Sequence, residues 1–420
     1  MNEKLRARKN WIEVLPILLL ISAISLSPRF TIGSIQNRLI QIRIEDVLLL
    51  IFGLVWVVNF FISGKERFEK PPLFFPVLAW LSIGFVTTLS NVILGNIVPS
   101  RGFFYLLKEI QYFFLYFYIF YHIKNINSAK FIARFWLILA LLNIGWVVAL
   151  LTKGFTHGRW AYYGPGAIGE GMAPFPSGGF FLILFIFFFS IFLYHYSHLS
   201  ISRIKKVIIA VAILCLTIGV FSSGSRTCIL GLLLAVVLIF SFYLIKERGL
   251  KPLIVGIVIF AVIAGTGYIV SKKVSHIIGL RPEKAFVSIE NRVDIWRDQI
   301  ELFPDKLFNI LLGMGKSVLL SQEESHSQYI RNFIETGIIG SVLFLFLIFT
   351  IIKKSFHGFS LSMDPFLLGL SSGLLVSTLV MLFISIPAEG FIVVRLNETY
   401  WSFTALTMAV YRASARERNL

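Results

Sequence analysis

Three side chains stand out by type and position. His326 sits where a long polar stretch gives way to an apolar run. Arg226 follows the polar turn Ser222-Ser223-Gly224-Ser225. Arg292 lies in the segment NRVDIWRDQIELF. An imidazole can accept a proton near neutral pH, for instance from a sugar hydroxyl whose oxygen attacks an anomeric carbon. A guanidinium stays charged and offers a fork of donors to phosphate oxygens, so an arginine at the mouth of a helix bundle suits a pyrophosphate. Each residue also has a plainer reading. His326 can be a helix-start histidine that bonds locally. Arg226 can snorkel to lipid headgroups or pair with an acid, and Arg292 can belong to a solvated helix face.

Further candidates for substrate contact are Arg159, Trp296, Arg101, Glu389 and Arg395. Arg159 lies in the loop 153–178, KGFTHGRWAYYGPGAIGEGMAPFPSG. Aromatic rings there can stack on sugar faces, and glycines permit close backbone approach. Glu389 and Arg395, in SIPAEGFIVVRLNETY, either line the same cavity or form a simple ion pair. Arg101 caps an apolar run, and Lys108 with Glu109 lies about two turns inside it. That internal pair is costly unless it faces protein or water, and reads as a structural lock.

Several chemistries lack their signatures. The chain has no GxxxxGK[ST] phosphate loop, no HExxH zinc motif and no DxD pair in an outward loop. A metal-dependent enzyme using a cytosolic sugar nucleotide is therefore disfavoured. A lipid-linked donor, neutralised by arginine rather than metal, fits better, and no cofactor is expected. Cys215 and Cys228 give no disulfide framework and read as small apolar fillers.

The elements that must position these groups are membrane spans. Hydrophobic residues make up 57% of the chain, and apolar runs of spanning length recur. The expectation is an all-α polytopic protein of about twelve spans in a single membrane domain, 1–420. The runs are 11–28, 44–62, 73–92, 103–122, 131–152, 178–196, 205–221, 228–245, 251–270, 333–352, 365–386 and 393–411. The basic head and apolar run at the start read as a retained first helix rather than a cleaved signal. The net charge of +17 does not indicate nucleic acid, because Lys and Arg cluster in short stretches between runs. Their bias predicts both termini in the cytoplasm and residues 271–331 facing outward, with membrane lipids as the surrounding partner. Within that external segment Val293, Trp296, Ile300 and Phe303 fall at helical spacing, with Asn291 as a candidate cap. A second helix is expected to start near Ser325 and run into the tenth span. It carries Arg331 and Glu335 as an i,i+4 pair.

Taken together, FSSGSRTCILGLLLA, NRVDIWRDQIELFPDKLFNILLGMGKS and SHSQYIRNFIETGIIG resemble motifs of the O-antigen polymerase and O-antigen ligase superfamily of bacterial inner-membrane glycosyltransferases. The order of the three matches as well, over about 215–345. One departure is Ser327, where the family pattern has asparagine after the histidine. The resemblance implies an undecaprenyl-pyrophosphate-linked glycan donor and an inverting, metal-independent transfer on the outer face. It implies that Arg226 and Arg292 hold the diphosphate and that His326 activates or positions the acceptor hydroxyl. Trp296 would anchor the helix presenting Arg292. The acceptor is a second lipid-linked repeat in a polymerase, the reading adopted, and lipid A core or another acceptor in a ligase. A chain-length regulator is a further partner. A polysaccharide flippase or other transporter is the non-enzymatic alternative.

Overall fold

The computed structural model describes residues 3–35, 38–63, 70–152, 174–198, 203–247, 265, 282–301, 303, 306–321 and 325–418. These form helices α1 (Glu3–Leu26), α2 (Ile44–Ser63), α3 (Phe74–Ile93), α4 (Pro99–His122), α5 (Ile126–Thr152), α6 (Pro174–His198), α7 (Arg203–Ser222) and α8 (Arg226–Glu247). Then follow α9 (Pro282–Glu301), the short α10 (Leu307–Leu312), α11 (Gln328–Leu361), α12 (Pro365–Ile384) and α13 (Val394–Arg418). One antiparallel hairpin, β1 (Arg29–Ile35) and β2 (Arg38–Arg43), joins α1 to α2 in a register that pairs Arg29 with Arg43. It is an addition to the all-helical expectation.

The expectation of about twelve spans is corrected. Among the described residues six helices are long and apolar enough to cross a membrane: α3, α5, α6, α8, α11 and α12. The molecule is a polytopic helical membrane protein. Helices do form at five of the other expected positions. Within the described side chains the apolar stretches of α1 and α7 cover Val14–Leu26 and Val207–Ser222. Charged and amide groups interrupt α4 at Arg101, Lys108, Glu109 and Gln111, and α13 at Arg395, Asn397 and Glu398. The expected span 251–270 lies outside the described residues apart from Gly265.

Helix α6 is the axis of the bundle, with 94% of its apolar window buried. It packs on α7, α8, α12 and α13. Small residues bring its neighbours close, the usual means of association where lipid offers no hydrophobic drive. A Cβ added at Gly369 of α12 would lie 2.5 Å from Ile191 Cα of α6. Phe187 of α6 stacks on Phe403 of α13 at 4.3 Å between centroids. Large apolar side chains such as Leu54, Leu107, Leu345 and Phe349 point outward, where acyl chains are the solvent.

Two features leave this regular packing. Helix α11 breaks at Gly337, which has φ +65° and whose added Cβ would strike Leu311 O at 2.3 Å. Only glycine tolerates both the backbone conformation and the approach. Into that break fits the loop after α10. Met314 N donates to Ile334 O (2.8 Å) and Gly315 N to Glu335 O (2.9 Å). A small second core of Phe303, Leu319 and Ile334 seals the outside of this joint.

Candidate active site

One end of the bundle gathers most of the candidates. Helix α8 starts there, α12 ends there and α11 starts there. Gly231, just over a turn into α8, abuts Ile384 at the last residue of α12, and an added Cβ would meet it at 2.8 Å. Gln328 N, at the first residue of α11, donates toward Ser385 O (3.1 Å) and Ala388 O (3.2 Å). Gln328 Oε1 in turn accepts from Phe391 N at 3.0 Å. Arg226 and His326 therefore stand at adjoining helix starts around the end of α12.

His326 is half-buried and has φ +51°, the left-handed region that non-glycine residues seldom occupy. Its flanks hold it there. Ser325 and Ser327 are buried, and Ser325 Oγ donates to Ser327 O at 3.1 Å. Ser327, not Ser325, occupies the N-cap position of α11, and its side chain makes no capping bond. Trp296 of α9 donates its indole N–H to Ser325 O at 2.7 Å. Phe303, just beyond α9, stacks on Phe333 of α11 at 5.2 Å. These two ties bring α9, and with it Arg292 one turn before Trp296, onto the segment carrying His326. Partial burial lowers the Arg292 pKa from the ordinary guanidinium value, and an arginine nonetheless stays charged. Helix α9 begins at Pro282, earlier than the Asn291 cap anticipated.

Arg226 is the first residue of α8, half-buried, after a turn in which Gly224 has φ +69°. Ser225 Oγ accepts from Cys228 N at 3.3 Å, which caps the helix. A helix N-terminus carries partial positive charge, so a cation placed there favours an anionic neighbour. Cys228 is buried and Cys215 half-buried, and both are free.

The remaining candidates separate. Arg159 lies outside the described residues. Glu389 accepts from Arg331 Nη1 at 2.7 Å. Arg395 is buried and donates to Ser25 O (3.2 Å) and Ser27 O, tying α13 to the end of α1. Arg101 is buried in the first turn of α4.

A polar cluster lies beside these residues. Lys316 enters from the glycine loop and pairs with Glu109 of α4 (2.7 Å) and Glu335 of α11 (3.6 Å). Its ammonium also sits 4.6 Å from the Trp80 ring centroid. Glu335 takes Arg331 at 3.0 Å, as the spacing foresaw, and Ser317 N at 3.0 Å. Lys108 and Glu109 do not form the lock expected. Lys108 pairs with Asp46 of α2 at 2.6 Å, while Glu109 turns to Lys316. Gln111 links Asp46 to Glu398.

Residues 209–345 match the O-antigen ligase family model. The match spans about a third of the chain and contains Arg226, Arg292 and His326. It bears out, over that stretch, the resemblance read from the three motifs. It supports a glycan-handling role of the O-antigen ligase and polymerase type, with lipid-linked glycans in general as substrates. No curated protein matches the chain.

Lys316, Glu335 and Glu109 went unrecognised as a cluster in the sequence. Their signal was present in GMGKS, where two glycines precede a lysine within a polar segment. Read locally, it is only a turn. Nothing in it says that the turn enters the bundle 207 residues away from Glu109 along the chain.

Proposed function

We propose that the protein is a membrane glycosyltransferase that polymerises lipid-linked glycan repeats at the outer face of the bacterial inner membrane, with both termini in the cytoplasm. His326 takes the proton of the acceptor hydroxyl as that oxygen attacks the anomeric carbon of the donor. The new glycosidic bond forms as the bond to the diphosphate breaks, with inversion. Undecaprenyl pyrophosphate leaves with the electron pair, held by Arg226 and Arg292. Arginine forks neutralise the diphosphate, so the reading calls on no metal. Trp296 positions α9, and Arg101, Arg159, Glu389 and Arg395 are the further substrate-contact residues of this reading. The single observation that best supports this reading is the hydrogen bond from Trp296 to Ser325 O, which joins the Arg292 helix to the strained His326.

The test is reconstitution in liposomes with an undecaprenyl-pyrophosphate-linked repeat, products being resolved by length. Wild type is expected to lengthen the lipid-linked chain. His326→Ala is expected to abolish transfer while its thermal melt stays unchanged. Transfer only to added lipid A core points instead to a ligase. Movement of the lipid-linked repeat across the bilayer without any transfer points to a transporter. Normal transfer by His326→Ala removes the histidine from the chemistry.

A further inference from the structure

Helix α10, LFNILL, is short and has two unlike sides. Ile310 packs on the small core of Phe303, Leu319 and Ile334, and Leu312 packs on the main core. Leu307, Phe308 and Leu311 point away from the protein, 70%, 42% and 38% exposed. Their i,i+4 and i,i+3 spacings to Leu311 put them on one side of the helix. Lys306, just before the helix, is exposed as well.

The depth of α10 along the bundle says what covers this side. Its following loop is fastened to two spans. On α3, Asn91 Nδ2 donates to Gly313 O (3.1 Å) and Thr88 Oγ1 accepts from Lys316 N (3.3 Å). On α11, a Cβ added at Gly337 would lie 2.3 Å from Leu311 O. Each span is a ruler. Gly337 is sixteen residues from Lys353, the first of two exposed lysines on α11, about 24 Å of helix at 1.5 Å per residue. Asn91 is seventeen residues from Phe74, where α3 starts just after the exposed Lys70, about 26 Å. The hydrocarbon core of a bilayer is about 30 Å thick, and lysines at its edge reach for water. Measured from the lysine end, both rulers set α10 at the far edge of the hydrocarbon, on the side where α11 starts and His326 stands.

The backbone fits that depth. Irregular chain is tolerated beside lipid only where protein satisfies its polar groups. Every amide from Gly313 to Ser317 donates to protein. Their acceptors are Asn309 O, Ile334 O, Glu335 O, Thr88 Oγ1 and Glu335 Oε1 in turn. Beside Gly337 the outward surface continues as Ile338, Ile339 and Val342 of the span itself, all exposed.

We propose that α10 is an interfacial anchor. Leu307, Phe308 and Leu311 enter the acyl region of the leaflet on the His326 side, and Lys306 reaches its phosphates. An apolar helix side flanked by a cation is the make-up of a helix lying in the membrane interface. The partner is bilayer lipid, and the anchor sets the height of the Lys316 loop against it. This departs from the wholly external placement expected for residues 271–331. It does not depend on the glycan-transfer reading.

The first test leaves the chain unaltered. In proteoliposomes, a phospholipid carrying a diazirine on its acyl chain close to the glycerol is photoactivated, and modified peptides are mapped by mass spectrometry. Adducts are expected on residues 307–311 as well as on the outward Leu345 of α11. Adducts at Leu345 with none on 307–311 overturn the anchor. The second test places a nitroxide at Leu307→Cys, Phe308→Cys or Leu311→Cys in a Cys215→Ala, Cys228→Ala background. Leu345→Cys is the lipid control and Glu301→Cys, on exposed α9, the aqueous one. Oxygen concentrates in hydrocarbon, and a nickel chelate stays in water. The oxygen-to-nickel collision ratio at the three sites is expected to match Leu345 and to exceed Glu301 by roughly threefold or more. A ratio equal to that at Glu301 overturns the anchor. So does weak collision with both reagents. Spin–spin broadening would then mark a second copy as the cover, and its lack another protein segment. If the cysteine-free background loses its monodisperse peak, the photolabelling decides alone. Neither readout needs turnover, so failure of the transfer reading is seen separately.

Discussion

At the scale of single residues, Glu335 does the most work per atom. It is 2% exposed and accepts from Arg331 and from the Ser317 amide, and it also faces Lys316. Removing it takes one of two acidic partners from each of two buried cations and leaves the Ser317 amide without its acceptor. Breaking a buried ion pair from one side typically costs ~3–5 kcal/mol. Glu335→Ala is therefore expected to lose stability, by less than that because Glu109 and Glu389 still pair the two cations, seen as a drop in thermal midpoint in detergent. The sequence announced Arg331 and Glu335 as neighbours on one helix. It did not announce Lys316, because that contact depends on a loop from elsewhere in the chain.

At the scale of elements, the glycine loop and the break in α11 are one joint. Gly313 has φ +76° and an added Cβ would lie 2.5 Å from the Glu335 carbonyl carbon. Gly337 has φ +65° and would collide with Leu311 O. Side chains at such positions are strained in their backbone as well as crowded. Gly337→Ala is expected to cost more than ~1 kcal/mol and to loosen the loop that carries Lys316. Limited proteolysis should then cut faster within residues 306–321 than in wild type. Unchanged protection there would mean that the joint does not hold the loop. Sequence periodicity found the helix containing Trp296 and the restart of helix after His326. It misplaced their starts, because Pro282 and Ser327 begin the helices where Asn291 and Ser325 had been expected. A proline with its fixed φ suits a first helical turn as well as a polar cap does.

At the scale of the whole molecule, burial of α6 by its neighbours sets what can change without loss of the fold. Gly369 leaves no space toward the α6 backbone at Ile191. Gly369→Leu is expected to separate α12 from α6 and to abolish a monodisperse peak in size-exclusion chromatography. Leu345→Ala, at a side chain 52% exposed on the outside of α11, is expected to keep that peak. The sites follow the same frame. The ends of α1, α7 and α12 meet the starts of α8, α11 and α13, which puts Arg226, His326 and Arg395 on one end of the bundle.

The sequence by itself determined the class, because apolar runs of spanning length leave no soluble alternative. It also determined the three motifs, because their residues lie close together along the chain and recur as local patterns. Only the tertiary structure decided where the charged groups inside the apolar runs go. Hydropathy along a run does not say whether a face meets lipid or protein, and α4 and α13 turn charged groups inward. Only the tertiary structure joined Glu109 to Lys316 and left Lys108 to Asp46. Pairing inside a low-dielectric bundle is set by which helices adjoin, and helix adjacency is not written in local spacing.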